Sequence, residues 1–460
     1  MALSEEQKSE ILKLLDSGCD RKTIADRVGV TPAQVSAVAA HLTMGTYTRA
    51  GDTKGTVATS GEVSQPVRPV SPAPSRGVYG DRGIVLGQDT ANGECVRWDP
   101  FPQTGSANPH MLVVGESGFG KTYLVQCLLG ELAASGIPSV VLDYAQGFSL
   151  NVLPREFVEA TSPTEIRAGE DGIAINPLEI FPTDTHGPVS VAQRVADTFT
   201  RVYPKIGVQQ HATLRQAVLD AFEAHGFASG RKPDRTRPLP LFSDVQQTLA
   251  ATASEVGNPK ARLAASVDAH ISTMFVFNTF RASGRALKWA DIVAAAGKTF
   301  ILQLKGLEYA LERAVTEFLL WNLIGFLEST GPSPLRVFVV LDEAHKLSFA
   351  VGSPTERLLR EGRKFGVGLI LASQQPSDFS PVAFNNTSTK VVFQSSDDRS
   401  ILSRILHQKT NNSESVAQVH RTITQLPPRD AYVLSQNIGR TIHVTSMAER
   451  IERWRGLFKS

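Results

Sequence analysis

Cysteine is scarce: Cys19, Cys95 and Cys127 are the only three in 460 residues, and their spacing suits no metal site. That excludes a disulfide scaffold and fits thiols kept reduced in a cytoplasm. No long unbroken apolar run occurs, so no membrane-spanning helix is expected. The opening stretch, Met1 to Glu10, is polar and acidic and lacks the apolar core of a secretory signal. Charge of one sign is also missing. Against 47 Lys and Arg stand 45 Asp and Glu, a formal net of +2 that neither demands nor excludes nucleic acid. No internal repeat is visible, and outside the motifs below the acidic residues form no nuclease-like metal cluster. What remains is an ordinary soluble composition, 42% hydrophobic and 20% charged. The length admits roughly two to four domains with a large buried core. The expected location is cytoplasmic, without a membrane partner.

Against that plain background one segment stands out. Gly115-Glu116-Ser117-Gly118-Phe119-Gly120-Lys121-Thr122 is a complete phosphate-binding loop. It follows the apolar run Met111-Leu112-Val113-Val114 and opens a helix-forming stretch from Tyr123 to Ala134. Glycines let successive backbone N–H groups turn inward around phosphate oxygens, at a helix N-terminus whose dipole favours an anion. Lys121 reaches the terminal phosphates, and the Thr122 hydroxyl ligates Mg²⁺. Residues Gly115 to Tyr123 are therefore the expected nucleotide-binding segment, with ATP and Mg²⁺ as cofactors.

The rest of the chain divides around this loop. Residues 1–48 read as a helix-turn-helix-like unit. Ser4-Glu5-Glu6-Gln7 is a capping box, and Ile11, Leu12, Leu14 and Leu15 form an apolar face. A second helix is predicted from Arg21 to Val28, closed by Gly29, and a third starts at Thr31-Pro32. That third helix offers only Gln34, Ser36 and His41 as polar readers. The first fifty residues hold six basic and six acidic side chains, so DNA binding and protein docking are both open. Residues 49–78, with Pro66, Pro69, Pro72 and Pro74, read as a flexible linker. A core then spans 79–460. It opens with a short hairpin at 83–98 around Asn92-Gly93, although the ATPase part proper is expected from His110. Continuous apolar strands are predicted at 138–143, 299–304, 336–341, 367–372 and 390–394, alternating with helices. The fold class is thus α/β: a P-loop core with a mostly parallel sheet. A helical insertion is expected at 190–282, interrupted by a basic loop near Arg231 to Pro240. Strands near 430–445 and a C-terminal helix at 446–460 complete the core.

A second set of chemical residues follows at a spacing the loop requires. Val337 to Leu341 is an apolar strand ending in Asp342-Glu343. Asp342 is placed to hold Mg²⁺, and Glu343 to orient an attacking water and accept its proton. The next strand ends at Ser373-Gln374-Gln375-Pro376, beside the bound phosphate in a parallel sheet, where Gln374 reads either as a phosphate or water sensor or as part of a Gln-rich turn before Pro376. Between these strands lies a basic helix end, Arg357 to Lys364. It reads either as a solvated face or as the source of an arginine finger acting on a neighbouring copy, with Arg363 ahead of Arg360.

These motifs together resemble the HerA family, ATPases of the FtsK–HerA group within the RecA-like P-loop class. The likeness covers about residues 83 to 446. Its specific part is Arg-Glu-Gly-Arg-Lys-Phe-Gly at 360–366 leading into Ala-Ser-Gln-Gln-Pro-Ser-Asp at 372–378. The resemblance implies a hexameric ring that translocates double-stranded DNA through its pore. It also implies catalytic roles for Lys121, Glu343, Gln374 and a trans-acting Arg363, with Thr122 and Asp342 on the metal. Two departures are evident. A helical unit and linker replace the β-barrel with which the family commonly begins. Phe148 stands where the family often has a glutamate after its acidic strand end.

Three functions remain open. A DNA-dependent ATPase and translocase, with helicase action as an extension, would work beside a separate nuclease or other effector in anti-phage defence or DNA end processing. A nucleotide-gated scaffold would activate a partner without moving DNA. A secretion or conjugation ATPase shares the same core.

Overall fold

Among the described residues eleven strands form one sheet, and their sequences explain its layout. They are β1 (Ile84–Asp89), β2 (Cys95–Trp98), β3 (Met111–Val114), β4 (Ser139–Asp143), β5 (Thr164–Arg167) and β6 (Thr299–Gln303). β7 (Val337–Leu341), β8 (Val367–Ser373), β9 (Thr389–Val392), β10 (Asp430–Ser435) and β11 (Ile438–Val444) follow. The spatial order is β2-β1-β11-β10-β9-β3-β8-β7-β4-β6-β5. From β9 to β5 every pairing is parallel, whereas β10, β11, β1 and β2 add on antiparallel at one end. This computed structural model describes residues 83–101, 108–227, 237–276, 279–280, 287–396, 416–435 and 438–457. It also describes residues 21–31 with Gln7, Glu10, Leu14 and Val35.

The central strands are buried end to end, as the apolar runs of β3, β4, β7 and β8 require when helices cover both faces. Alternate residues feed two cores. Met111, Val113, Val141, Phe338, Val340 and Ile370 pack with the Lys121–Ala134 helix and with Met447 and Trp454 of the C-terminal helix. Leu112, Val140, Leu142, Val339 and Leu371 face the Tyr309–Thr330 helix and the helical insertion. A fully buried ion pair, Arg450 Nη1 to Glu131 Oε1 at 2.8 Å, ties the C-terminal helix to the helix after the phosphate loop.

The insertion comprises the helices Pro188–Val202, Val208–Ala224, Phe242–Ser254 and Ala261–Val276, close to the predicted 190–282. Phe242 stacks between Phe199 and Phe275, at 5.6 and 5.2 Å between ring centroids. Arg201 Nη2 binds Glu317 Oε2 at 2.6 Å and fixes the insertion to the Tyr309–Thr330 helix. The basic stretch 231–236 lies outside the described residues.

The hairpin at 83–98 is present, but it does not stand in front of the core. β1 pairs with β11 in the register Gly87↔Val444, so the hairpin is the edge of the same sheet. A core beginning at His110 is therefore too short. The edge strand β5 had no counterpart among the predicted strands.

Two compact units, Met1–Pro69 and Val70–Ser460, divide the chain. In the first, the Arg21–Val28 helix matches the prediction. Gly29, at φ +70, lets Val30 N–H bond the Ala25 carbonyl at 3.0 Å, a left-handed helix stop. Among the described residues of this unit, Ile24, Ala25 and Val35 are buried. Most of the two flanking helices, including Gln34, Ser36 and His41, and the linker at 49–78 lie outside the described residues.

Candidate functional site

The phosphate loop joins β3 to the Lys121–Ala134 helix at the carboxyl ends of the parallel strands. Gly115 has φ +146, and a Cβ there would stand 2.5 Å from that of Phe393, so only glycine fits. Gly118 and Gly120 are also left-handed, at φ +87 and +112. Lys121 Nζ donates to the Glu116 carbonyl across the loop at 2.9 Å. Burial pushes its ammonium below the ordinary lysine range, and the carboxylates of Asp342, Glu343 and Glu116 oppose that effect. Glu116 itself accepts from Ser396 N–H at 3.0 Å and from its hydroxyl at 2.6 Å.

The neighbouring strands deliver the acidic side. Asp342 follows β7 and is 9% exposed. Its carboxyl is pushed up to about 7, chiefly by burial and then by the nearby charges of Glu343 and Asp143. Glu343 takes a left-handed backbone, φ +58, costly for a non-glycine residue and typical of functional turns. Its Oε1 accepts from Gln374 Nε2 at 3.3 Å, and its Oε2 lies 3.2 Å from His345 Nδ1.

Asp143, at the end of β4, anchors the turn beneath this pair. Its carboxylate accepts from Ala145 N–H at 3.0 Å, Phe148 N–H at 2.7 Å and Gln303 Nε2 at 2.7 Å. The turn then brings Gly147 against Thr122, where a Cβ would meet the Thr122 methyl at 3.2 Å. Phe148 is buried, so it serves packing where a carboxylate would serve chemistry.

No protein-family model matches the chain. A protein described as a probable helicase of Methanocaldococcus jannaschii is 30% identical over 109 residues, 22% of this chain and 19% of that protein. The probable DNA double-strand break repair helicase HerA of the same organism is 37% identical over 59 residues, 13% of this chain and 11% of its own length. The matched segments thus span a fifth or less of these curated relatives. Among solved structures, VirB4 of Thermoanaerobacter pseudethanolicus superposes with a TM-score of 0.63 at 19% identity, covering 80% of this chain and 98% of that one. The chain shares the fold of that protein. The bacterial conjugative coupling protein TrwB shares it at a TM-score of 0.51 and 16% identity, over 78% of this chain and 88% of its own.

In this fold, the residues named from sequence divide between the two ends of the sheet. Gly115 to Tyr123, Asp342, Glu343 and Gln374 gather at the carboxyl ends of β3, β7 and β8. Arg363 does not join them. It precedes β8 and lies beside His110, which precedes β3, at the opposite end of the same strands. The seven residues of β8 separate the two ends by about 20 Å. Arg360, the alternative, pairs with Glu356 on its own helix.

A Mg²⁺ ion fits the donor set. The carboxylates of Asp342 and Glu343 both act on the Lys121 ammonium, and the Asp342 carboxyl, raised chiefly by burial, is a hard oxygen donor beside the loop that carries Thr122. Sequence reasoning missed the support of Asp143, its partner Gln303, and Arg429 against the loop. Asp143 was visible as a carboxylate ending an apolar strand. Arg429 and Gln303 carried no sequence signal, because their places follow from strand order alone.

Proposed function

We propose that the chain hydrolyses ATP with Mg²⁺ and uses the energy, as a homo-oligomer, to move along double-stranded DNA. The observation that carries this reading is the split between the two ends of β8. Glu343 and Gln374 stand at the phosphate end, and Arg363 stands about 20 Å away, out of reach of its own site. An arginine so placed reaches a phosphate of a neighbouring copy, which ties hydrolysis to assembly, and a hexameric ring is the arrangement we propose. Thr122 and Asp342 would hold Mg²⁺, which when bound neutralises charge on the phosphates. Lys121 turns from the Glu116 carbonyl to the terminal phosphates. Glu343 orients the attacking water and takes its proton, and Gln374 steadies that carboxylate through its amide. The matches to proteins described as helicases support DNA as the track. A nuclease or another separate effector would supply further chemistry, in DNA end processing or antiviral defence.

Steady-state ATP hydrolysis with and without linear duplex DNA tests the proposal, with Glu343→Gln and Arg363→Ala as variants. Strong DNA stimulation, abolished in both variants, is the expected result. Mixing the two variants should restore part of the activity, because one copy supplies the arginine and the other the intact carboxylate. Hydrolysis indifferent to DNA would replace the motor with a nucleotide-gated scaffold. The likeness to the conjugative coupling protein TrwB over 78% of the chain supports, as a second reading, an ATPase feeding a secretion or conjugation apparatus. No helix among the described residues is long and apolar enough to cross a membrane. Recovery of the native protein with membranes would favour that second reading.

A further inference from the structure

The strand order determines which way a nucleotide must lie in this site. β8 and β7 flank β3 on one side, and their ends carry Gln374 and Glu343. That flank receives the terminal phosphate. β9 and β10 lie on the other side of β3, so the nucleoside leaves the loop toward them. Tyr123, one residue beyond Thr122, lies in the first turn of the Lys121–Ala134 helix, next to the loop.

Arg429 occupies this second flank, immediately before β10. Its N–H donates to the Phe119 carbonyl at 2.9 Å, and its carbonyl accepts from Val444 N–H at 3.0 Å. A Cβ on Gly120 would lie 3.6 Å from its Cα, so its backbone runs directly against the loop. Its φ of +70 suits glycine and is unfavourable for a side-chain-bearing residue. An arginine held there, against its backbone preference, calls for a task. Its guanidinium lies over the Tyr123 ring, 4.7 Å from the centroid. Tyr123 is fixed in turn, because its hydroxyl accepts from Met447 N–H at 3.0 Å. Arg429 is exposed, and no carboxylate pairs with it among the described residues. The Tyr123 ring therefore backs the guanidinium on one side, and the exposure of Arg429 leaves it reachable beside the loop.

We infer that Arg429, backed by Tyr123, is a stacking platform for the base of the bound nucleotide and selects purine over pyrimidine nucleoside triphosphates. A guanidinium stacks on aromatic planes, and a larger purine gains more from it than a pyrimidine. Arg429 then sets which nucleotide is used, while Lys121 and the loop hold any polyphosphate. This inference rests on the nucleotide-site reading above, and the test separates the two.

Calorimetric titration of the full chain, in the hydrolysis-blocked Glu343→Gln background with Mg²⁺ present, compares ATP, CTP and inorganic tripolyphosphate. Arg429→Gly relieves the left-handed backbone and removes the platform. Its ATP affinity should fall about five- to thirtyfold and its preference for ATP over CTP should collapse, with tripolyphosphate affinity unchanged. Arg429→Lys keeps the charge without the plane and should behave like Arg429→Gly. Equal loss for ATP and tripolyphosphate would make Arg429 a phosphate ligand and overturn the inference. So would unchanged ATP binding, or full rescue by lysine. If Arg429-intact protein binds neither ATP nor tripolyphosphate, the nucleotide-site reading itself fails, and the platform with it.

Discussion

His110 should make the protein sensitive to acid through a single ring. It is fully buried at the start of the loop strand, and burial, followed by the nearby Arg363 charge, pushes it down to about 3 from 6.5. Its Nδ1 accepts from Leu369 N–H at 3.0 Å, which fixes the neutral tautomer with the proton on Nε2. The unfolded chain takes up a proton here near pH 6.5, and the folded protein does not until about pH 3. Stability is therefore fully present above 6.5 and is lost progressively as the pH falls toward 3. Between pH 7 and pH 5 the loss from this one group is about 2 kcal/mol. Urea unfolding at both values should show it as a lowered midpoint. His110→Asn keeps a carbonyl acceptor for the Leu369 amide and removes the titration. The variant should start less stable at pH 7 yet lose about 2 kcal/mol less than the native chain on going to pH 5. All other titrating groups are common to both proteins and cancel. Equal pH slopes in the two proteins would refute the burial of a neutral ring at this position.

Two further outcomes follow from packing. Arg450 donates to Glu131 and to the Val85, Leu86 and Thr445 carbonyls, so Arg450→Met leaves the buried Glu131 with Arg453 as its cation, removes the donor of three carbonyls and should cost about 2–3 kcal/mol in urea unfolding. Adding Glu131→Leu should recover only part of that, since the carbonyls still lack their donor; complete recovery would show that they find water. Gly368→Ala would place a Cβ 2.2 Å from the Phe338 ring, which packs edge-on against Trp98 at 5.4 Å. A loss of about 1–3 kcal/mol with a shifted tryptophan emission is expected, and an unchanged midpoint would mean that the ring moves aside freely.

Much of this architecture was legible because buried parallel strands leave a strong trace. β3, β4, β6, β7, β8 and β9 appeared as uninterrupted apolar runs within a residue or two of their observed ends. β5 left no such trace: only Ile166 of its four residues is buried, as befits an edge. The hairpin at 83–98 was readable as a hairpin. Its place was not, because its partner β11 lies some 350 residues later and the pairing is a long-range choice.

The sequence by itself determined the glycine-rich loop, the carboxylates Asp342 and Glu343, and Gln374 as residues that gather at one edge of the sheet. Their grouping depends on a local strand-turn pattern that any parallel sheet presents at its carboxyl edge. Only the tertiary structure decided which groups share that edge. It put Asp143 beneath Asp342 and raised the latter's proton affinity by burial, since desolvation depends on what surrounds a group in space. It also set Arg363 at the far end of β8 and brought Arg429 against Tyr123, because strand order, which no local segment encodes, fixes which loops meet.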